Sequence, residues 1–218
     1  MNFFQSNTNL MLLEKFLKVK IKLSLMVLST GYSKIRTAVF ISGTGSNLKS
    51  LIKFSKIKKS PISIEFIISN NSKAKGLNYA KIYKIKKIVL NFKNQNLSET
   101  RLLYILKMNN IEMICLAGFM KILSKNFINK FKGKILNIHP SLLPKYKGLN
   151  THERVLNNRE KFSGCTVHFV NSRLDSGKII LQKKVRILKN ETESSLAKKI
   201  LAQEHKLYPK AILKVFNL

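Results

Sequence analysis

Acidic side chains are what this chain has least of: 10 Asp and Glu stand against 41 Lys and Arg, for a net charge of +31, and only one of the ten is an aspartate, Asp175. A clustered excess of positive charge would point to nucleic acid, because lysine and arginine neutralise phosphates and release counterions. The lysines are instead spread through nearly every segment. Arginine, whose planar fork suits phosphates and base edges, supplies only six of the 41 basic residues. Abundant Ile and Asn accompany the lysines, the mark of a compositional drift rather than of a dedicated footprint. No specific nucleic-acid partner is expected, although the field attracts anions in general.

Cysteine is almost missing as well. Cys115 and Cys165 lie in apolar, strand-like runs with no CxxC and no histidine partner nearby. That excludes a disulfide framework and points to buried thiols in a reducing compartment, so a cytoplasmic location is expected. The histidines lack metal-ligand spacing, and no metal is expected. Long apolar runs are absent: Leu23-Ser24-Leu25-Met26-Val27-Leu28, which follows Lys15, Lys18, Lys20 and Lys22, is too short to span a bilayer. It has no well-defined small-residue cleavage site either, which argues against a secretory signal, and no membrane partner is expected. Residues 1–36 read as an extension without chemistry, or as the product of a start placed before Met26, and residues 37–218 read as the functional domain. The domain shows no internal repeat and no low-complexity linker.

What is present from Thr37 onward is an alternation of short β-branched runs with helical patterns. It predicts strands at 37–42, 63–69, 87–90, 112–117, 135–138, 166–170 and 179–185, and helices at 46–58, 73–84, 99–109, 123–131, 151–158 and 192–206. Pro209 is expected to bend or end the last of these. This order specifies an α/β, Rossmann-like fold with a mostly parallel sheet flanked by helices, in which ligands gather at the carboxyl ends of strands.

Four sequence features fall at such ends. The first strand leads into Gly43-Thr44-Gly45-Ser46-Asn47, where glycines allow close approach and the helix start attracts an anion. Leu48 stands where a dinucleotide loop needs its third glycine, and no Gly-Lys-Ser/Thr ending follows, so the loop suits a single phosphate. Ala117-Gly118-Phe119-Met120-Lys121-Ile122-Leu123 is an apolar strand exit that can offer backbone groups to the edge of a flat heterocycle. Asn137-Ile138-His139-Pro140 and the lone Asp175 together supply an amide, an imidazole and a carboxylate, the set needed to hold an oxyanion and move a proton. Asp175 before Gly177 would also serve as a plain turn residue. His152, His168 and His205 are expected to be structural or supporting, His168 being the one nearest the chemistry.

Taken in order, segments 43–47, 117–123, 136–148, 166–170, 174–177 and 204–209 resemble the motif set of phosphoribosylglycinamide formyltransferase, the folate-dependent glycinamide ribonucleotide transformylase of purine synthesis. The resemblance covers about residues 37–216. It implies 10-formyltetrahydrofolate as formyl donor and 5-phosphoribosylglycinamide as acceptor, small-molecule substrates only, and a monomer or homodimer. It also implies that Asn137, His139 and Asp175 are catalytic and that Gly45, Ser46, Asn47 and Glu204 bind the glycinamide ribonucleotide. The folate is then contacted by Met120, Lys121, Ile122 and Leu123, by Asn137, and by Asn171, Ser172, Arg173, Leu174 and Asp175, with Arg101 the sole nearby candidate for a folate-facing arginine.

In this reading the acceptor amine attacks the formyl carbon, Asn137 donates to the developing oxyanion, and His139, held protonated by Asp175, stabilises it or donates a proton. Two relatives of the fold compete. A methionyl-tRNA formyltransferase would use the same trio and give the charge a purpose, but its loop carries Arg-Gly where this chain reads Lys147-Gly148-Leu149-Asn150, and it normally adds a tRNA-binding domain. A formyltetrahydrofolate deformylase normally carries an N-terminal regulatory domain that residues 1–36 are too few to supply. A non-catalytic RNA-binding protein reusing the fold would have no need of the trio.

Overall fold

In the computed structural model the described residues are 33–218, so the expected extension lies almost wholly outside them. Among them seven strands form one sheet in the order β3-β2-β1-β4-β5-β6-β7. β1 (Ile35–Ile41), β2 (Ile62–Ser69), β3 (Lys86–Val89), β4 (Met113–Leu116) and β5 (Lys134–His139) are parallel, while β6 (Phe162–Phe169) and β7 (Ile179–Arg186) run antiparallel. β1 and β4 are apolar runs because both of their faces are covered, as a central parallel strand requires.

Helices α1 (Ser46–Ser55) and α6 (Glu193–Val215) cover one face, burying Leu48, Leu51, Ile200 and Tyr208. The other face is covered by α3 (Gln95–Met108) and α4 (Lys125–Lys130), which bury Leu102, Leu106 and Phe127. Two shorter helices, α2 (Asn78–Tyr83) and α5 (Thr151–Asn157), lie in connections. The side chain of Asn94 caps α3 and that of Ser124 caps α4, each accepting a backbone N–H three residues on. Both cysteines are free and buried, and burial pushes the Cys115 thiol up to about 12. No helix among the described residues is long and apolar enough to cross a membrane.

Three expectations need correction. The helix expected at 73–84 is a 3-10 turn, Lys75–Leu77, followed by α2. Gly76 is pressed against the Gly43–Gly45 turn: its N–H donates to Gly43 O, and a Cβ on Gly45 would lie 2.7 Å from Gly76 Cα. β6 begins at Phe162 rather than Thr166, since its first half pairs with β7.

The last helix does not end at Pro209 but runs on to Val215. A proline there removes the N–H that would bond the carbonyl four residues back, at His205. The Ser50 hydroxyl on α1 donates to that His205 carbonyl at 2.7 Å, so the orphaned acceptor is satisfied across the helix pair. Ser50→Ala is therefore expected to cost about 1–2 kcal/mol in urea unfolding. In a Pro209→Ala background, where a backbone N–H returns, the same change should cost much less. Equal losses in the two backgrounds would show that Ser50 does not compensate for the proline.

Candidate active site

The sheet adds strands to one side of β1 as far as β3, then returns to place β4 on the other side. Such a switch opens a crevice at the strand ends. A cavity of about 990 Å³ lies there, lined by the turn after β1, the exits of β4 and β5, the loop after β6 and the inner face of α6. Every residue expected to bind or catalyse borders it except Arg101, which is exposed on α3. Arg101 sits beyond the first turn of α3, while the residues of that helix nearest the apolar loop are Gln95 and Glu99.

β5 delivers Asn137 and His139 on one face of the sheet, two residues apart. Register sets His168 of β6 directly opposite Asn137. Asp175 is brought in by the loop between β6 and β7, with φ of 44°, a left-handed conformation that aspartate tolerates better than most residues. That loop is clamped by Gly177, where a Cβ would lie 1.7 Å from Phe169 O. The turn reading and the functional reading of Asp175 thus both hold, because the turn aims the carboxylate inward.

The Asp175 carboxylate and the His139 ring are each 7% exposed, with Nδ1 to Oδ2 at 3.4 Å. Oδ2 also accepts the Gly148 N–H at 2.9 Å, and His139 Nε2 lies 2.8 Å from Tyr146 O. A carbonyl only accepts, so Nε2 carries a proton and Nδ1 is the nitrogen that changes state. His168 Nδ1 donates to Phe169 O at 2.8 Å, and Nε2 lies 3.2 Å from Asn137 Nδ2 and 3.6 Å from Asp175 Oδ1, accepting from the amide when the ring is neutral and donating to the carboxylate when it is protonated. The second Asn137 N–H points to Asp175 Oδ1 at 3.5 Å, too long to hold it firmly.

Burial pushes the pKa of His139 down, and outweighs the upward pulls of the Tyr146 carbonyl and the Asp175 carboxylate. Desolvation thus acts against the expectation that Asp175 keeps this histidine protonated, while the carboxylate favours the cation. For Asp175 burial works upward, yet its contacts with His168, Gly148 N–H and His139 together bring it below the ordinary carboxylate value.

At the other end of the cavity the side chain of Asn47 donates to Glu204 Oε2 at 2.6 Å. Glu204 is buried, which raises its pKa against the opposing effect of Asn47, and Asn47 Oδ1 is buried with no partner. This corner therefore holds a carboxylate with a single amide donor and an amide oxygen with none. The turn at 43–47 presents the α1 N-terminus beside it, with Gly45 left-handed at φ 75°.

Sequence reasoning expected His168 to be the supporting histidine nearest the chemistry, and it lies against both Asn137 and Asp175. What sequence reasoning missed is the loop after β5, where Tyr146 O and Gly148 N–H hold both members of the His–Asp pair. Arg154 straps that loop, donating to Lys147 O at 2.7 Å and Leu149 O at 3.2 Å. Backbone partners of this kind leave no trace in side-chain identity.

The formyl transferase family matches residues 35–212. Phosphoribosylglycinamide formyltransferase of Escherichia coli (strain K12) is 39% identical over 177 residues, covering 80% of this chain and 84% of that protein. The trifunctional purine biosynthetic protein adenosine-3 of Homo sapiens is 43% identical over 182 residues, and there the match spans 18% of the relative's length. Crystal structures of phosphoribosylglycinamide formyltransferases from Anaplasma phagocytophilum and Brucella melitensis superpose with TM-scores of 0.78 and 0.79 at 43% and 40% identity, over 83% and 84% of this chain and 85% and 96% of theirs. A shared fold at such identity, running through every segment that builds the crevice, leaves one conclusion: this chain belongs to the formyl transferase family, alongside the phosphoribosylglycinamide formyltransferases.

Proposed function

We propose that the cavity transfers a formyl group from 10-formyltetrahydrofolate to the amine of 5-phosphoribosylglycinamide. The observation that carries this reading is the placing of a buried His–Asp pair between a corner deficient in hydrogen-bond donors and an apolar strand exit. The donor supplies a formyl carbon on a nitrogen that can leave. For it, the 120–123 loop offers the apolar edge and backbone groups that a flat heterocycle needs, with the 171–174 loop across from it. For the acceptor, the amides at the start of α1 suit a single phosphate, and Glu204 with Asn47 Oδ1 suits the N–H groups of a glycinamide.

In the transfer a bond forms from the acceptor nitrogen to the formyl carbon, the bond to the donor nitrogen breaks, and one proton passes between the two nitrogens. His139 begins neutral and takes that proton at Nδ1. The imidazolium then lies between Tyr146 O and Asp175 Oδ2, two acceptors that stabilise it before the proton is handed on. Asn137 turns its loosely held N–H from Asp175 to the formyl oxygen as charge grows there, while its grip on His168 fixes the amide plane. Catalysis rests on residues 37–218 alone, with small-molecule substrates and a cytoplasmic setting.

Since the neutral imidazole is the working form, kcat/KM should fall as pH drops through a pKa below the ordinary histidine value of about 6.5. Asp175→Asn removes a charge that favours imidazolium, so an NMR titration should find the His139 pKa lower still, with kcat reduced roughly 10²–10⁴-fold. A His139 titration identical in the two proteins would reject the pairing.

Glu204 carries a raised pKa, so its ionised form is penalised in the fold. That penalty is absent below the unfolded carboxylate value and complete once pH exceeds the folded one. Glu204→Gln should therefore melt at a higher temperature than the parent at pH 8 and level with it near pH 4. Its KM for glycinamide ribonucleotide should meanwhile rise roughly 10–100-fold, the loss expected for a charged hydrogen bond. A variant neither more stable nor weaker in binding would contradict this role.

The acceptor itself is decided by assaying glycinamide ribonucleotide and initiator methionyl-tRNA with one formyl donor. Transfer to the small amine is expected, with KM raised steeply by Ser46→Asp through like-charge repulsion of the phosphate. Formylation of the tRNA alone, weakening as salt rises, would overturn the proposal.

A further inference from the structure

Two glutamates among the described residues are buried as whole residues, Glu204 in the cavity wall and Glu99 outside it. Glu99 is 2% exposed on α3, and no lysine, arginine or histidine among the described residues forms an ion pair with it. A carboxylate taken out of water without a cation is costly unless hydrogen bonds satisfy it. They do so here, and nearly all come from one place. Glu99 Oε1 accepts the Ser124 N–H at 2.8 Å and Gln95 Nε2 at 2.9 Å, while Oε2 accepts the Ser124 hydroxyl. Gln95 Nε2 donates in turn to Ile122 O at 2.8 Å, and Ser124 Oγ accepts the Phe127 N–H that starts α4.

The segment so clasped is the far end of the apolar strand exit. Its near end is held by Ser42, whose Oγ accepts the Met120 N–H at 2.8 Å. Packing does little between these anchors, because Met120 and Ile122 are 66% and 68% exposed and only Leu123 reaches the core. A loop whose apolar side chains point outward keeps its shape through polar ties, and the densest of these ties converge on Glu99.

We infer that Glu99, with Gln95, is a positioning residue for the donor side of the cavity, fixing the backbone of Ile122–Ser124 so that the loop is ready for a flat heterocyclic donor. The inference rests on the folate reading proposed above. Its effect falls on donor affinity and leaves acceptor binding and the His–Asp chemistry alone, since neither Asp175 nor Glu204 touches the clasp.

The test uses the full chain and a folate analogue lacking the formyl group, 5,8-dideazafolate, titrated calorimetrically, together with steady-state kinetics. Glu99→Gln puts an N–H₂ where a donor now points in, and should weaken analogue binding and raise donor KM about tenfold. Acceptor KM should stay within about twofold and kcat at saturating donor within about threefold. Gln95→Ala changes an exposed residue and spares the fold, and should weaken donor binding a few-fold by freeing Ile122 O. Amide NMR should show shifts across 120–124 and none at 43–47. Variants that fold and bind the analogue as the parent does would overturn the assignment, as would equal losses for donor and acceptor. A parent chain that binds no folate analogue would bring down the proposed function, and this assignment with it.

Discussion

The reversal of strand order at β1 is the constraint from which the site follows. Where the chain turns from building outward through β2 and β3 to building outward through β4 and β5, the connections leave on opposite faces and cannot close over the strand ends. The phosphate-type turn is the exit of β1, the apolar loop the exit of β4, and the Asn–His pair the exit of β5. Three sequence segments far apart in the chain therefore line one crevice without any of them being specialised to find the others. α6 completes the wall from the side, and its Tyr208 hydroxyl, within reach of the carbonyls of both Leu116 and Leu136, ties that helix to the two strands whose ends do the work.

The buried ionisable groups in and beside the crevice are each held differently. His139 and Asp175 share partners from the backbone, Glu204 has one amide, and Glu99, outside the cavity, has a cluster of neutral donors. None leans on the abundant lysines. In low dielectric a flexible ammonium would fix the charge state of its neighbour, whereas neutral donors leave the titration to be set by burial and geometry. That is the condition the role proposed for His139 needs.

Much of this was legible in the chain. The β-branched runs marked all seven strands, because a two-face-covered sheet demands them, and glycine, amide, imidazole and carboxylate at successive strand exits marked the crevice. What could not be read depended on atoms brought together across long separations. Helix α6 continues through Pro209 with Leu207, Tyr208, Ala211 and Ile212 buried around it and with the freed His205 carbonyl accepting from Ser50, a partner 155 residues away. The depressed titration of His139 is a product of burial, which its sequence neighbours do not reveal. Arg101 looked suitable by type and by position, yet helical phase turned it outward, and Gln95 and Glu99 occupy the side that meets the loop.

Among the described residues the sheet is open at both ends, with β3 and β7 as its outer strands. β3 begins Lys86-Lys87, and β7 carries Lys183, Lys184 and Arg186. A second molecule adding its own β3 or β7 to either border would bring lysine against lysine along a row of otherwise unpaired N–H and C=O groups, an arrangement that repels. The surplus of positive charge, which has no part in the proposed chemistry, sets like charge along both outer strands of the described sheet and so disfavours growth by strand addition, a hazard that many β-branched residues would otherwise carry at high concentration.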